Sequence, residues 1–283
     1  MELTKKIDFI AFVSVTNANP NGDPLNENMP RADFDGYGEI SDVCIKRKIR
    51  NRMQDILETP NSVFVQTDER CDDGFKCLKA RADKTIGLSS KSMTPDEFAK
   101  KACEQWIDVR TFGQVFAFDK KTLSVGVRGP VSIHMATSVN PVEINSMQIT
   151  KSVRGTKEEE KGSDTMGMKH TVRYGLYKIK GSVSVQLAEK TGFSEDDASM
   201  VKECLRTLFV NDASAARPDG SMEVVSLYWF EHNNKIGQYP SIKVHNSVNA
   251  KLKEGIRSPR SIDDYEFEIK KLPGLDPEII EGI

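Results

Sequence analysis

Three cationic side chains lie close together in one short segment of the chain. Lys46, Arg47 and Arg50 fall within two turns of a helix predicted over residues 41–58, away from its apolar stripe. Such a face can bind the phosphates of single-stranded nucleic acid, or it can simply be solvated. On either interpretation the three side chains are expected to be exposed, so replacing them should change the melting temperature little.

A polar loop, residues 17–28, separates this helix from a strand predicted over residues 7–15. The loop is crowded with Asn, Pro and Gly, which cannot continue a strand. Its side chains and unpaired backbone N–H groups make it a suitable place to bind a ligand. Loop and basic helix both follow one strand end, and this local concentration of donors favours phosphate binding over a merely solvated face.

Two thioethers occur in a Gly-rich and strongly charged segment, residues 154–170. Met166 and Met168 are its only large apolar side chains, and Arg154, Lys169 and His170 flank them. Core packing is the usual role of methionine, but this segment offers little else for a core. A flexible thioether on a protruding hairpin could instead wedge between stacked bases.

Other chemistry-bearing residues give weaker signals. Asp33 and Asp35 lack the spacing of a calcium loop, which leaves either a turn or a metal-assisted RNA-cleaving carboxylate. Cys71 and Cys77 are separated by five residues, wider than in a zinc knuckle, and the four histidines form no close pair. No cofactor and no metal site are therefore predicted.

The elements that must position these residues follow a simple order. Strand, basic helix, insertion, strands, hairpin, helix and strand reduce to β-α-β-β-α-β, an α+β arrangement of the ferredoxin-like type. Helices would cover one face of the sheet and leave the other open. Further elements are predicted at residues 63–66 (strand), 94–106 (helix), 194–210 (helix), 222–231 (strand), 239–244 (strand) and 265–269 (strand).

Composition limits the class of protein. The 283 residues include 40 Lys and Arg against 42 Asp and Glu, so this is not a globally basic nucleic-acid binder. Apolar runs fall short of the ~20 residues that cross a bilayer, which predicts no membrane association. Five scattered cysteines suit a reducing compartment, and a cytoplasmic protein is expected.

Taken together, five stretches resemble the repeated backbone subunit of Cascade, the type I CRISPR interference complex, and most closely its type I-C form. They span most of the chain in the expected order: residues 19–24, 40–50, 108–113, 129–133 and 211–218. The resemblance implies a modified RNA-recognition-motif palm with a finger insertion and a protruding β-hairpin thumb. The palm would comprise residues 1–59, 111–139 and 173–283, the finger residues 60–110 and the thumb residues 140–172.

The resemblance also implies a function without catalysis. Members polymerise along crRNA as a helical filament, hold its phosphates and display its bases for pairing with target DNA. The implied partners are crRNA, target DNA, further copies of the chain, and the capping crRNA-processing, large and small subunits. Carried over by motif and order, the RNA-binding residues would be Asn19, Asn21, Ser41, Lys46, Arg47 and Arg50, the wedge Met166 or Met168, and the basic thumb contacts Arg154, Lys169 and His170.

Two alternatives remain open. One is a metal-dependent backbone ribonuclease of a type III-like complex, in which Asp33 or Asp35 would act with a divalent ion. The other is a solitary RNA-binding protein that forms no filament.

Overall fold

The computed structural model describes residues 1–88, 93–118, 124–150 and 166–283. Its helices are α1 Asp42–Leu57, α2 Leu78–Ile86, α3 Pro95–Gln105, α4 Ile107–Phe112, α5 Val185–Thr191, α6 Glu195–Arg206 and α7 Ser241–His245. Its strands are β1 Ile7–Ala18, β2 Gly22–Asp23, β3 Met29–Pro30, β4 Tyr37–Ile40, β5 Gly113–Phe116, β6 Val125–Arg128, β7 Val131–Ile133, β8 Ala136–Pro141, β9 Ile144–Thr150, β10 Met166–Val183, β11 Met222–Glu231, β12 Val248–Leu252, β13 Tyr265–Ile269 and β14 Glu278–Glu281. None of the helices within these ranges is long and apolar enough to span a membrane.

A large antiparallel sheet organises the described chain. Its strand order is β14-β11-β1-β10-β8-β4, and β7 and β9 also pair with β10. The near-continuous apolar run of β1 is buried on both sides, with Phe9 facing one core and Phe12 the other. The predicted mixed α+β class is confirmed by this sheet and its helices.

Helices α1 and α6 cover the first face of the sheet. Ile45, Ile49 and Met53 form the apolar stripe of α1, and Val201 and Leu205 belong to α6. All five side chains are buried at helical spacing, as expected for the inner stripe of an amphipathic helix. The helix predicted over residues 41–58 is therefore confirmed, with Ser41 as its N-cap.

The second face of the sheet is also covered, so the expectation of an open face is wrong. Val244, Val248 and Tyr265 pack against the sheet residues Phe12 and Tyr228. Of these C-terminal side chains, Tyr265 belongs to a predicted strand, whereas Val248 lies outside every predicted element. They nevertheless bury the face because the segment crosses the sheet as short elements. Residues 241–245 form helix α7, where the sequence predicted a strand.

The insertion between α1 and β6 has its own aromatic core. Phe64 lies 4.6 Å from Trp106 and 5.0 Å from Phe116 between ring centroids. Helix α3 begins as predicted, with Thr94 and Glu97 forming a reciprocal capping box. The core continues to residue 125, and the predicted finger boundary at residue 110 falls inside α4.

Candidate nucleic-acid interface

Asn19 ties the loop that leaves β1 to the loop's own far end and to the 211–218 turn. The Asn19 side-chain amide donates to the Asn28 carbonyl at 2.7 Å, and the Asn19 backbone N–H donates to the Ala216 carbonyl at 2.9 Å. Gly22 begins β2, and a Cβ there would lie 2.0 Å from the Asn28 amide oxygen. The loop is therefore an ordered platform, and Asn19 is buried within it.

Asn21 connects this loop to the start of α1. Its side-chain oxygen accepts the backbone N–H of Ser41 at 2.9 Å, while the Ser41 hydroxyl oxygen accepts the N–H of Cys44 at 3.3 Å. Both side chains are only partly buried. The expected adjacency of loop and helix is thus present in the structure. RNA contact by Asn19, Asn21 and Ser41 stays a prediction.

Arg47 and Arg50 do not form the expected exposed face. Arg50 Nε donates to the buried Asp108 carboxylate at 2.8 Å, and the Arg50 side chain is only 12% exposed. Arg47 donates to the Val65 carbonyl at 2.7 Å. Burial lowers the pKa of Arg47, and the neighbouring Arg50 charge lowers it further. Both residues hold α1 against the insertion, which covers this side of the helix.

Lys46 differs from its two neighbours. It pairs with Asp42 one turn earlier at 2.9 Å, and its side chain is 22% exposed. An ion pair of this kind contributes little to stability and can exchange for another anion. Of the three predicted phosphate ligands, Lys46 is therefore the one whose ion pair, in the described part of the chain, is with a neighbour on its own helix.

Two guanidinium groups that sequence reasoning did not single out border the loop. Arg31 pairs with Asp23 at 3.3 Å, and Arg217 pairs with Asp212 at 3.2 Å. Their side chains are 38% and 28% exposed, more than that of Arg50. Arg217 lies within one of the five stretches that carry the family resemblance, which is the signal that could have identified it.

Asp212 also binds a lysine that the helix buries. Lys48 points from α1 to Asp212 and is 4% exposed. Burial lowers the pKa of Lys48, and the Arg217 charge adds to this effect although Asp212 opposes it. The 211–218 turn is thus fixed to α1 by the Lys48–Asp212 ion pair, beside the loop that Asn19 closes.

The β9–β10 hairpin carries the predicted wedge residues. Met166 and Met168 are 55% and 48% exposed, and with Gln148 and Glu27 they border an open groove of about 350 Å³. The hairpin therefore faces the tip of the 19–30 loop. Arg154 lies outside the described residues.

Lys169 and His170, the basic contacts predicted on this hairpin, are adjacent in the strand and so point to opposite faces of it. Lys169 pairs with Met147 across the hairpin and so lies on the face opposite Met166 and Met168. His170 is 7% exposed, with Nδ1 2.7 Å from the Ser146 hydroxyl, so the expectation of an accessible His170 is wrong. It lies at the base of the hairpin, where the strands enter the sheet and neighbouring side chains cover it.

The acidic turn after the loop has a structural role. Asp33 Oδ1 accepts the backbone N–H groups of Asp35 and Tyr37 at 3.0 and 2.8 Å. This arrangement stabilises a tight turn at Gly36, whose φ is +84°. Within the described ranges, no three or more His, Cys, Asp or Glu side chains lie in an arrangement that could hold a metal ion.

Comparison with known families identifies the chain. The model of the family described as CRISPR-associated protein Cas7 matches residues 5–270. The chain belongs to the Cas7 family. Within it, the chain is 26% identical over 229 residues to CRISPR-associated protein Cas7 of Haloferax volcanii, covering 74% of this chain and 65% of that relative. This Cas7 chain thus spans slightly less than two thirds of the relative's length.

Two solved structures to which this chain is similar are described as CRISPR RNA-guided surveillance complexes. One, in a pre-nicking form, is 18% identical, with a TM-score of 0.49 and coverage of 80% of this chain and 78% of that chain. Another is 18% identical, with a TM-score of 0.46 and coverage of 80% and 68%.

Proposed function

We propose that this Cas7 chain is the repeated backbone subunit of a type I-C CRISPR RNA-guided surveillance complex in the cytoplasm. It binds crRNA phosphates and displays the bases for pairing with target DNA. One observation carries the proposal: in a chain that matches Cas7 over residues 5–270, the 19–30 loop adjoins both the start of α1 and the β9–β10 hairpin. Three predicted RNA-contacting elements therefore border one continuous surface.

The chemistry of this surface suits RNA of arbitrary sequence. A guide whose sequence varies cannot be recognised through fixed contacts to base edges, so the protein must hold the backbone. Arg31, Arg217 and Lys46 supply partly exposed cations around the loop, and Asn21 and Ser41 supply polar groups. The exposed thioethers of Met166 and Met168 can contact any base, because apolar contact does not depend on the pattern of donors and acceptors on the base.

The three structural units are assigned accordingly. The sheet with α1 and α6 forms the palm, the aromatic insertion forms the finger, and the β9–β10 hairpin forms the thumb. One subunit's thumb lies over RNA held by its neighbour, which displaces one base per subunit. Because each copy uses one surface to contact the next copy and another to receive the previous one, assembly generates an open helical filament. The crRNA-processing, large and small subunits bind to this filament.

The salt dependence of RNA binding tests phosphate contact directly. Lys46→Ala is expected to weaken binding to every guide alike and to reduce the slope of log affinity against log salt by about 0.7. Lys5→Ala is the matched control, because Lys5 also forms a surface ion pair, with Glu231 at 2.6 Å, but near the opposite end of β1. An unchanged slope for Lys46→Ala would contradict phosphate contact at α1.

Cleavage assays test the ribonuclease alternative. The backbone subunit is expected to leave bound RNA intact in Mg²⁺, and Asp33→Asn is expected to preserve interference, because Asn retains a side-chain oxygen for the turn. Metal-dependent scission by the unmodified chain that disappears in Asp33→Asn would replace the backbone assignment with a nuclease.

A further inference from the structure

Phe34 is fully exposed at the tip of a well-ordered turn. The two hydrogen bonds accepted by Asp33 hold the turn, and the Val142 N–H donates to the Gly36 carbonyl at 2.9 Å to fix it to the end of β8. The backbone therefore holds an aromatic ring in water without covering it. An ordered, projecting aromatic side chain is the kind of group that anchors a protein interface.

A cleft with both apolar and charged lining residues lies elsewhere in the chain, between α3, β6 and α5. Its volume is about 640 Å³, and its lining includes Ala99, Val127 and Leu187. The space beside Gly126 is open, since a Cβ at that position would meet nothing within 4 Å. Pockets of roughly 300–1,000 Å³ bury whole small ligands, so this cleft has room for one aromatic ring.

The charges around the two features are complementary. Asp33 and Asp35 flank the ring and have no ion-pair partner in the described part of the chain. Arg128 and Lys190 line the cleft and likewise lack an ion pair among those residues, against one unpaired carboxylate, Asp96. The remaining charged lining residues are already in ion pairs within the chain: Lys100, Glu104 and Glu189.

Ring and cleft cannot meet within one molecule. The turn adjoins residue 142, and the next residue, Glu143, accepts the backbone N–H of Arg173 on β10 at 2.9 Å. From Arg173 to Val183 the strand advances ten residues, about 33 Å at ~3.3 Å per residue, and only then does α5 begin at the cleft. Any contact between them must therefore join two molecules.

We propose that Phe34 of one copy inserts into the cleft of the next copy. The inference rests on the proposed function, because a repeated subunit needs two different surfaces that fit each other. A projecting ring on one side of the chain and a receiving cleft on another form a heterologous contact that repeats without closing. A nucleic acid is a poorer occupant for Phe34, since Asp33 and Asp35 would repel its phosphates.

Site-specific photocrosslinking tests the contact. The photoreactive residue p-benzoyl-L-phenylalanine is placed at position 34, arrays are assembled on a long guide RNA, and cross-linked peptides are mapped by mass spectrometry. The expected product joins position 34 to a second copy within residues 96–104, 126–128 or 187–192. A cross-link to RNA or to any other peptide, or none in assembled arrays, overturns the proposal.

A substitution separates assembly from RNA binding. Phe34→Ala is expected to raise the protein concentration needed for arrays on long RNA by about tenfold or more, as for loss of an interface anchor. Binding to a short RNA that accommodates one subunit should not change. Ile242→Ala is the control, because Ile242 is 71% exposed on α7, outside the 19–30 loop, the β9–β10 hairpin and the cleft. Unchanged array formation by Phe34→Ala refutes the contact alone, whereas a chain that binds no RNA refutes the proposed function as well.

Discussion

Replacing Arg50 with alanine is expected to destabilise the protein strongly, although the sequence predicts that this side chain lies on an exposed basic face of α1. Its partner Asp108 is 0% exposed and accepts three donors: Arg50 Nε at 2.8 Å and the backbone N–H groups of Phe64 at 2.6 Å and Val65 at 3.1 Å. Without Arg50 a buried carboxylate keeps two neutral donors and loses its only ion-pair partner in the described ranges. Breaking a buried pair from one side costs about 3–5 kcal/mol in free energy of unfolding.

Urea denaturation and calorimetry measure this cost. At roughly 2–4 °C per kcal/mol for a chain of this size, the melting temperature should fall by about 10 °C. Lys46→Ala is the matched control on the same helix, because its surface pair with Asp42 contributes only about 0.5 kcal/mol. A double-mutant cycle with Asp108→Asn should show strong coupling, since the two side chains are in direct contact.

A stable Arg50→Ala variant would refute this reasoning. If its free energy of unfolding lies within about 1 kcal/mol of the unmodified chain, the Arg50–Asp108 pair is not a buried interaction in solution. A simultaneous loss of salt dependence in RNA binding would then assign Arg50 to phosphate contact. If Arg50→Ala is instead strongly destabilised, weaker RNA binding by Arg50 variants results from unfolding. Phosphate contact by α1 must then be measured with Lys46 variants.

Three further outcomes are expected. Gly113→Ala should lower the free energy of unfolding by about 3 kcal/mol or more, because φ is +80° and the new Cβ would lie 2.3 Å from a backbone oxygen. Gly220 has a similar φ of +73° but faces open space, so Gly220→Ala should cost only about 1 kcal/mol in the same denaturation assay. Burial lowers the pKa of Lys178 from 10.5 to about 8. Between these pH values the unfolded state binds more protons than the folded state, so the folded state becomes more stable as the pH rises. Relative to Lys178→Met, the unmodified chain should therefore gain roughly 2 kcal/mol in free energy of unfolding from pH 8 to pH 10. Burial also lowers the pKa of His245 below 6.5, so the free energy of unfolding should fall as pH drops below 6.5, and His245→Gln should flatten that dependence.

Local sequence patterns predicted the helices and strands whose own apolar residues determine which side is buried. Strands β11 and β13 have the predicted bounds, and β1 and α1 lie where an apolar run and a helical stripe placed them. Residues 63–66 failed as a strand because the N–H groups of Phe64 and Val65 donate to the Asp108 side chain instead of a neighbouring strand. That acceptor lies more than forty residues away, and periodicity contains no information about it.

The candidate site was predictable to the extent that its parts are neighbours in sequence. The loop with Asn21 and the helix capped by Ser41 both follow the strand predicted over residues 7–15, so their contact could be expected, and the hydrogen bond between them is present. The burial of Arg50 could not be expected, because its partner belongs to an insertion that folds back over α1. His170 follows Met168 by two residues, which predicts exposure like that of the two thioethers, but the strands packed around it bury its side chain.

The buried cations of α1 change how RNA gripping by this subunit should be understood. Arg47, Lys48 and Arg50 direct their charges toward the insertion and the 211–218 turn, and so fix α1 from two sides. A fixed helix holds Ser41 in place, and Ser41 is hydrogen-bonded to the loop through Asn21. A surface that must accept any guide sequence cannot adapt its shape to each one. A pre-organised loop therefore contributes more to RNA affinity than additional flexible cationic side chains would. In the proposed complex these three cations are therefore positioning residues, and the contacts to phosphate come from the partly exposed groups around the loop.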